Sequence, residues 1–277
     1  MISQDNVVEQ AATAIEDAEN AMRLADLDPG HAVPVAERAA RRAHRERDLV
    51  AAAIAERAWG HALLHCGALD SAIRHLRRAV ACGRQAGSPA LIGEARMKLA
   101  YGLMYRGQSR RALTEIDAAL LALDGVAAAR ARAQRAIILH LTGRLDEALA
   151  EFQVAVSAIR RTGDLLGVQR ALLNRAFLHA DLHAFTSAEA DLVEAERLAR
   201  QLGRDLTVGI IAANLGYVET LRGDVPAALA HFERAERISS ANGGQLGTIY
   251  QDRAELLISV GLVSEAQATA ERATLAY

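Results

Sequence analysis

The chain has 277 residues, of which 51% are hydrophobic and only 4% aromatic, and its 32 Lys and Arg against 34 Asp and Glu leave a formal net charge of -2. So balanced a charge provides no global field that would attract nucleic acid or an anionic membrane. The two cysteines, Cys66 and Cys82, are too few for a disulfide framework. Because most of the hydrophobic residues are Ala and Leu, which favour helices, the composition predicts an all-α protein.

The N-terminal sequence differs from export and membrane-anchoring segments. Residues 1–22 read MISQDNVVEQAATAIEDAENAM, with acidic residues early and no basic flank before an apolar run, so they do not form a signal peptide. The chain contains no stretch of about 18 apolar residues, which argues against a transmembrane helix. We therefore expect a cytoplasmic protein without a membrane partner, in which residues 1–47 form a degenerate helix pair that caps one end of the fold.

Small residues recur at fixed distances through residues 48–277, with spacings of 12 and then 7 in six successive units. The six sets are Gly60, Ala72 and Ala79; Ala100, Ala112 and Ala119; Ala136, Ala148 and Ala155; Ala176, Ala188 and Ala195; Gly216, Ala228 and Ala235; and Ala254, Ala266 and Ala273. A large apolar residue stands four positions before the last small residue in five units, as Leu76, Ile116, Phe152, Leu192 and Phe232, whereas the sixth has Ala270. These spacings indicate an internal repeat.

Each repeat reads as two antiparallel helices joined by a short turn. The turns are predicted at Gly67, Gly107, Gly143, His183, Gly223 and Gly261. Gly suits them because a helix that stops within a few residues needs a left-handed backbone. The residues expected to cap the second helices are Asp70, Ser109, Asp146, Ser187, Asp224 and Ser264. A degenerate seventh unit is set on His31, Ala36, Ala40 and Ala43, and loops between repeats are marked by Gly163, Gly203 and Gly243.

This pattern of small residue, Gly, Ala, large apolar residue and Ala resembles the tetratricopeptide repeat (TPR). The resemblance implies a right-handed, continuous solenoid of about seven antiparallel helix pairs, with six TPR-like repeats in residues 48–277. It departs from the family pattern because the family's Trp occurs only as Trp59 and its closing Pro is absent. The phrases GRLDEAL, LLNRAF and RGDVPAALAHFERA look like the N-terminal repeat region of actinobacterial proteins that end in a CHAT domain, a caspase-like protease module.

In TPR proteins the first helix of each repeat lines a groove, so the resemblance implies that a peptide or protein partner binds there. The corresponding residues of this sequence are Arg57, His61, Met97, Lys98, Tyr101, Met104, Tyr105, Arg130, Gln134, Ile137, His140, Arg170, Asn174, Phe177, Asn214 and Tyr217. Three of the chain's few aromatic residues recur in one column of this set, which favours a partner-binding role. The alternative is that these side chains only pack against neighbouring first helices.

Two histidine pairs are the strongest candidates for a metal or catalytic site. His61 and His65, and likewise His179 and His183, are four residues apart on predicted helices and could each present two imidazoles to a metal. No Glu or third ligand accompanies them at a suitable spacing, and Cys66 beside His65 points away from it on a helix. We therefore predict no catalytic residue, no metal and no cofactor within the chain.

Three classes of function remain at the level of sequence. The first is a non-catalytic protein-interaction scaffold, serving as the recognition or regulatory region of a CHAT-type effector. The second is the sensor region of a transcriptional regulator, or a free-standing adaptor. The third is an enzyme with a metal at a histidine pair. In the first two classes no nucleic acid binds the array itself, and its uncapped C-terminal end contacts either a second copy or a downstream domain.

Overall fold

The computed structural model describes residues 13–276, and these residues form fourteen α-helices and no β-strand. Residues 1–12 of the predicted N-terminal cap, and Tyr277, lie outside the described part. The helices are α1 (Ala14–Leu27), α2 (Pro29–Glu46), α3 (Leu49–His65), α4 (Leu69–Gln85), α5 (Pro89–Tyr105), α6 (Ser109–Leu120), α7 (Gly125–Leu141), α8 (Leu145–Arg161), α9 (Leu165–Asp181), α10 (Phe185–Gln201), α11 (Asp205–Arg222), α12 (Val225–Ala241), α13 (Gly247–Ser259) and α14 (Val263–Leu275). The prediction of an all-α fold is confirmed.

The helices follow one another as seven consecutive pairs along the chain, in agreement with the repeat count read from the sequence. The chain divides into two compact units, residues 1–142 and residues 143–277. Unit 1 contains α1 to α7 and unit 2 contains α8 to α14, so the division falls within the fourth pair. The predicted division at residues 47 and 48 coincides with the turn between α2 and α3, where Asp48 accepts a hydrogen bond from the Ala51 backbone N–H at 2.9 Å.

The six residues at which turns were predicted share one backbone conformation. All six turn residues have a positive φ, with 76° at Gly67, 86° at Gly223 and 55° at His183. His183 is one of only two non-glycine residues with positive φ among residues 13–276. Because a side chain strains this conformation, His183 is the one of the six predicted turn residues at which glycine would be better suited.

The small residues of the repeat are packing positions. Every member of the six sets is buried. A Cβ atom added to Gly60 would lie 2.6 Å from Leu76 Cγ, and one added to Gly216 would lie 2.8 Å from the ring of Phe232. The two helices of a pair therefore approach too closely for a larger side chain, and the large apolar residue fills the space beside them.

Two local predictions are wrong. Of the six residues expected to cap second helices, only Asp224 does so, accepting from the Ala227 backbone N–H at 3.0 Å. The others already lie inside the first turn of their helices, because those helices begin closer to the turn than the sequence suggested. The turn of the first pair is at Asp28 and not at His31, which lies in α2.

Candidate partner-binding faces of the first helices

All sixteen predicted groove residues lie on first helices, eleven of them in unit 1 and five in unit 2. The unit 1 face consists of Arg57 and His61 on α3; Met97, Lys98, Tyr101, Met104 and Tyr105 on α5; and Arg130, Gln134, Ile137 and His140 on α7. The unit 2 face consists of Arg170, Asn174 and Phe177 on α9, and Asn214 and Tyr217 on α11. Within unit 1, α5 contacts α3 and α7, and within unit 2, α11 contacts α9 and α13.

Arg57 is paired inside unit 1. Its guanidinium forms an ion pair with Glu94 of α5, and its side chain is only 14% exposed. Burial lowers the pKa of Arg57 to about 10, although the charge of Asp26 opposes that shift. The charge remains at neutral pH, but a ligand would have to compete with Glu94 for it.

His61 is the most enclosed residue of the unit 1 face, with 5% of its surface exposed. Its Nε2 atom lies 2.9 Å from Oδ1 of Asp26 and 3.1 Å from Nζ of Lys98. Burial lowers the pKa of His61 to about 4, outweighing the hydrogen bond to the Asp26 carboxylate, which raises it. His61 is therefore neutral at pH 7 and joins three helices of unit 1 instead of facing solvent.

Most of the remaining predicted side chains of α5 are packed against the core, and one of them is exposed. Met97, Tyr101 and Met104 are half-buried against the core formed by α3 to α7. Tyr105 is 59% exposed, and the Tyr101 hydroxyl donates to the Tyr105 hydroxyl at 3.1 Å. Packing thus accounts for most of this helix face, and Tyr105 is its most accessible ring.

On α7 only part of the predicted set is open. The Gln134 side-chain amide donates to the Met97 carbonyl oxygen at 2.8 Å, which fixes α7 against α5. Ile137 and His140 are half-buried, whereas Arg130 is exposed. The unit 1 face therefore serves largely to hold its own helices together.

The unit 2 face presents an aromatic pair. The ring centroids of Phe177 and Tyr217 are 6.2 Å apart with an interplanar angle of 49°, and Phe177 is 39% exposed. The Asn174 side-chain amide donates to the Arg170 carbonyl oxygen at 2.7 Å within α9, while Arg170 itself is exposed. Two neighbouring first helices thus contribute rings to one partly open apolar surface.

Three carboxylates beside this pair were missed by the sequence reasoning. They are Asp181 at the end of α9, and Asp252 and Glu255 on α13. Burial raises the pKa of Tyr217, and these three carboxylates raise it further. Burial and the charge of Glu255 raise the pKa of Asp252 to about 6. A signal for Glu255 was available, since it occupies the same position before its turn glycine as Tyr217 does.

The histidine pairs do not form a metal site. The rings of His61 and His65 meet edge to face at 4.7 Å, and His179 Nε2 lies 3.8 Å from an oxygen of Asp191, which Arg175 already binds. Among residues 13–276 no three His, Cys, Asp or Glu side chains are arranged to hold a metal ion. Nor is any helix in that part of the chain both long and apolar enough to cross a membrane.

Several solved structures share this arrangement of helices at low sequence identity. BtubC (BKLC) from P. vanneervenii is 19% identical, with 84% of this chain and 94% of that chain covered and a TM-score of 0.62. A Rap protein complexed with Competence and Sporulation Factor is 12% identical, with coverage of 96% and 76% and a TM-score of 0.73. A tetratricopeptide repeat protein from Parabacteroides merdae is 20% identical, with coverage of 78% and 77% and a TM-score of 0.56.

These similarities establish that the chain has the fold of TPR proteins, and they confirm the fold class predicted from the repeat spacing. No protein-family model matches the sequence, and no curated protein matches it. Identities of this size show a common fold alone.

Proposed function

We propose that the chain is a non-catalytic protein-interaction scaffold whose first helices bind a peptide or a segment of a partner protein. The observation that carries this proposal is the partly exposed ring pair Phe177 and Tyr217 on adjacent first helices. Aromatic side chains supply a large contact area at little cost in conformational entropy, which makes them frequent binding hot spots. A structurally similar Rap protein was solved as a complex with Competence and Sporulation Factor, which supports the proposal.

The proposal is tested by selecting displayed random peptides on the purified chain and measuring the affinity of the enriched peptides by fluorescence anisotropy. We expect the double variant Phe177→Ala/Tyr217→Ala to weaken them by about tenfold or more. The matched control is Val154→Ala/Val193→Ala, which truncates two exposed apolar residues on second helices of the same unit. Failure to enrich any peptide, or equal weakening by the control, would contradict a binding role for the first helices.

A finer assignment rests on sequence resemblance, and we propose it on that basis: the scaffold is the recognition or regulatory region of an actinobacterial, cytoplasmic CHAT-type effector. The phrases GRLDEAL and LLNRAF carry this likeness. Exposed apolar residues of the last helix pair, Ile258 and Val263, would then contact a protease domain or a second copy. We expect the gene beyond residue 277 to encode a His/Cys protease domain. A helix-turn-helix domain would favour a transcriptional regulator, and an immediate stop codon a free-standing adaptor.

A further inference from the structure

We propose that the unit 2 face binds a basic segment of its partner, in which an Arg or Lys side chain lies against Phe177 and Tyr217 and is paired by Asp252 and Glu255. This inference rests on the proposed scaffold function and specifies the chemistry of the partner. It is carried by the placement of Asp252 and Glu255 on α13, the first helix that contacts the helix of Tyr217, and by the fact that neither carboxylate forms an ion pair within residues 13–276.

Tyr217 is central to this arrangement. Its helix, α11, contacts both α9, which carries Phe177, and α13, which carries Asp252 and Glu255. Every charge that shifts the pKa of Tyr217 is negative. The charged groups that act on Tyr217 are therefore all carboxylates, although the chain as a whole is nearly neutral.

The two carboxylates of α13 lower the stability of the folded protein. Asp252 and Glu255 are three residues apart on one helix, where like charges destabilise it. Asp252 is also half-buried, and no cation offsets the rise of its pKa to about 6. A basic group bound here would reverse the repulsion, so binding would recover stability that the free protein lacks.

Other buried or half-buried carboxylates of unit 2 form ion pairs with arginines. Asp191 is bound by Arg175, Glu196 by Arg234 and Glu236 by Arg272. Within residues 13–276 neither Asp252 nor Glu255 forms an ion pair, and the hydrogen bond of Glu255 comes from Gln251 of the same helix at 3.3 Å. Asp252 thus differs from these three carboxylates, because it is half-buried and has no arginine partner within residues 13–276.

Aromatic rings and carboxylates together suit a cation better than either does alone. A guanidinium or ammonium group is attracted to the face of an aromatic ring and gains more when it is partly shielded from water. Arg adds a planar group that can stack on a ring while donating two hydrogen bonds to a carboxylate. The chemistry of the face therefore favours Arg-containing segments over acidic or purely apolar ones.

The test measures fluorescence anisotropy of three labelled peptides of equal length with the full chain, one alternating Arg with Ala, one Glu with Ala and one Gln with Ala. We expect the Arg peptide to bind at least about tenfold more tightly than the other two. The variant Asp252→Asn/Glu255→Gln should remove that preference. The control Glu265→Gln/Glu271→Gln removes two exposed carboxylates from α14 and should leave the preference intact. Circular dichroism of both variants verifies that they remain helical.

The outcomes separate this inference from the function on which it rests. Equal weakening by the control variant would assign the effect to net charge and overturn the inference. No binding of the Arg peptide, or equal binding of all three peptides, would also overturn it. The scaffold function would still stand if peptides from the random selection depend on Phe177 and Tyr217, since that experiment makes no assumption about charge.

Discussion

The two units carry the same repeat but use their first helices differently. On the unit 1 face, Arg57 is bound by Glu94 and His61 is held between Asp26 and Lys98. On the unit 2 face, Phe177 is partly exposed beside Tyr217, and Asp252 and Glu255 of the neighbouring helix α13 form no ion pair within residues 13–276. Residues at equivalent positions of the repeat therefore differ in whether their side chains are already paired or exposed.

The difference arises from what contacts each face. In unit 1 the N-terminal helix α1 contacts α3 and brings Asp26 to His61. In unit 2 several ion pairs lie on second helices, such as Glu196 of α10 with Arg234 of α12. Arg57 and His61 of the unit 1 face are thus paired internally, whereas Asp252 and Glu255 beside the unit 2 face form no ion pair within residues 13–276.

The largest expected effect on stability comes from removing one acidic residue beside each face. Glu94→Gln leaves the nearly buried Arg57 guanidinium without its partner, which should lower the free energy of unfolding by about 1–3 kcal/mol. Glu255→Gln removes a like-charge repulsion with Asp252, so it should leave stability unchanged or raise it slightly. Urea denaturation of both variants checks this, and similar losses in both would contradict the distinction between the two faces.

A smaller effect on stability is expected from a change of pH, and it has opposite signs in the two units. The folded pKa of His61, about 4, lies below its ordinary value of 6.5, so the stability it contributes above pH 6.5 is lost as the pH falls toward 4. The folded pKa of Asp252, about 6, lies above its ordinary 3.8, so its contribution is present below pH 3.8 and lost as the pH rises through 6.

Variants isolate these two contributions. Between pH 4 and 6.5, His61→Gln should reduce the loss of Tm on acidification relative to the unmodified chain. Asp252→Asn should raise Tm at pH 7 and have little effect near pH 4, where the carboxyl is already protonated in the folded state. Differential scanning calorimetry over this range measures both, and parallel Tm curves for the variants and the unmodified chain would refute the assignment.

The smallest effect concerns the turn in unit 2 where His183 replaces the usual glycine. Because its φ is 55°, His183→Gly should stabilise the protein by about 0.5–1 kcal/mol. Gly67→Ala, at the corresponding turn of unit 1 with φ of 76°, should destabilise it by a similar amount. Thermal unfolding of both variants tests this, and stabilisation by Gly67→Ala would show that the backbone conformation is not the cause.

Much of the fold could be predicted because the repeat spacing reports packing directly. Gly60 and Gly216 recur where two helices approach most closely, and Leu76 and Phe232 recur beside them. Helix caps were predicted poorly because a one-residue change in the start of a helix moves a side chain off the cap. Asp224 succeeded where Asp70 did not, since only Asp224 directly follows its turn glycine and precedes the first helical residue.

The site was predicted only in outline. Spacing placed Tyr101, Phe177 and Tyr217 on first helices, but it carried no information on which of them a neighbouring side chain would cover. Asp26 lies 35 residues before His61, and Asp252 lies on α13, two helices after the helix of Tyr217. Both act across repeats and follow no local spacing. Such contacts depend on which helices become neighbours.

By itself, the sequence determined the helices, their pairing and their turns, because each of these depends on residues close together in the chain. These residues are small side chains, glycines with a left-handed backbone and large apolar side chains one or two helical turns away. Only the tertiary structure decided which polar groups of the first helices are already paired. It brought Asp26 to His61 and Glu94 to Arg57 in unit 1, and it placed Asp252 beside the rings of unit 2. Electrostatic pairing depends on distance in space, and in this protein those distances are set by contacts between helices.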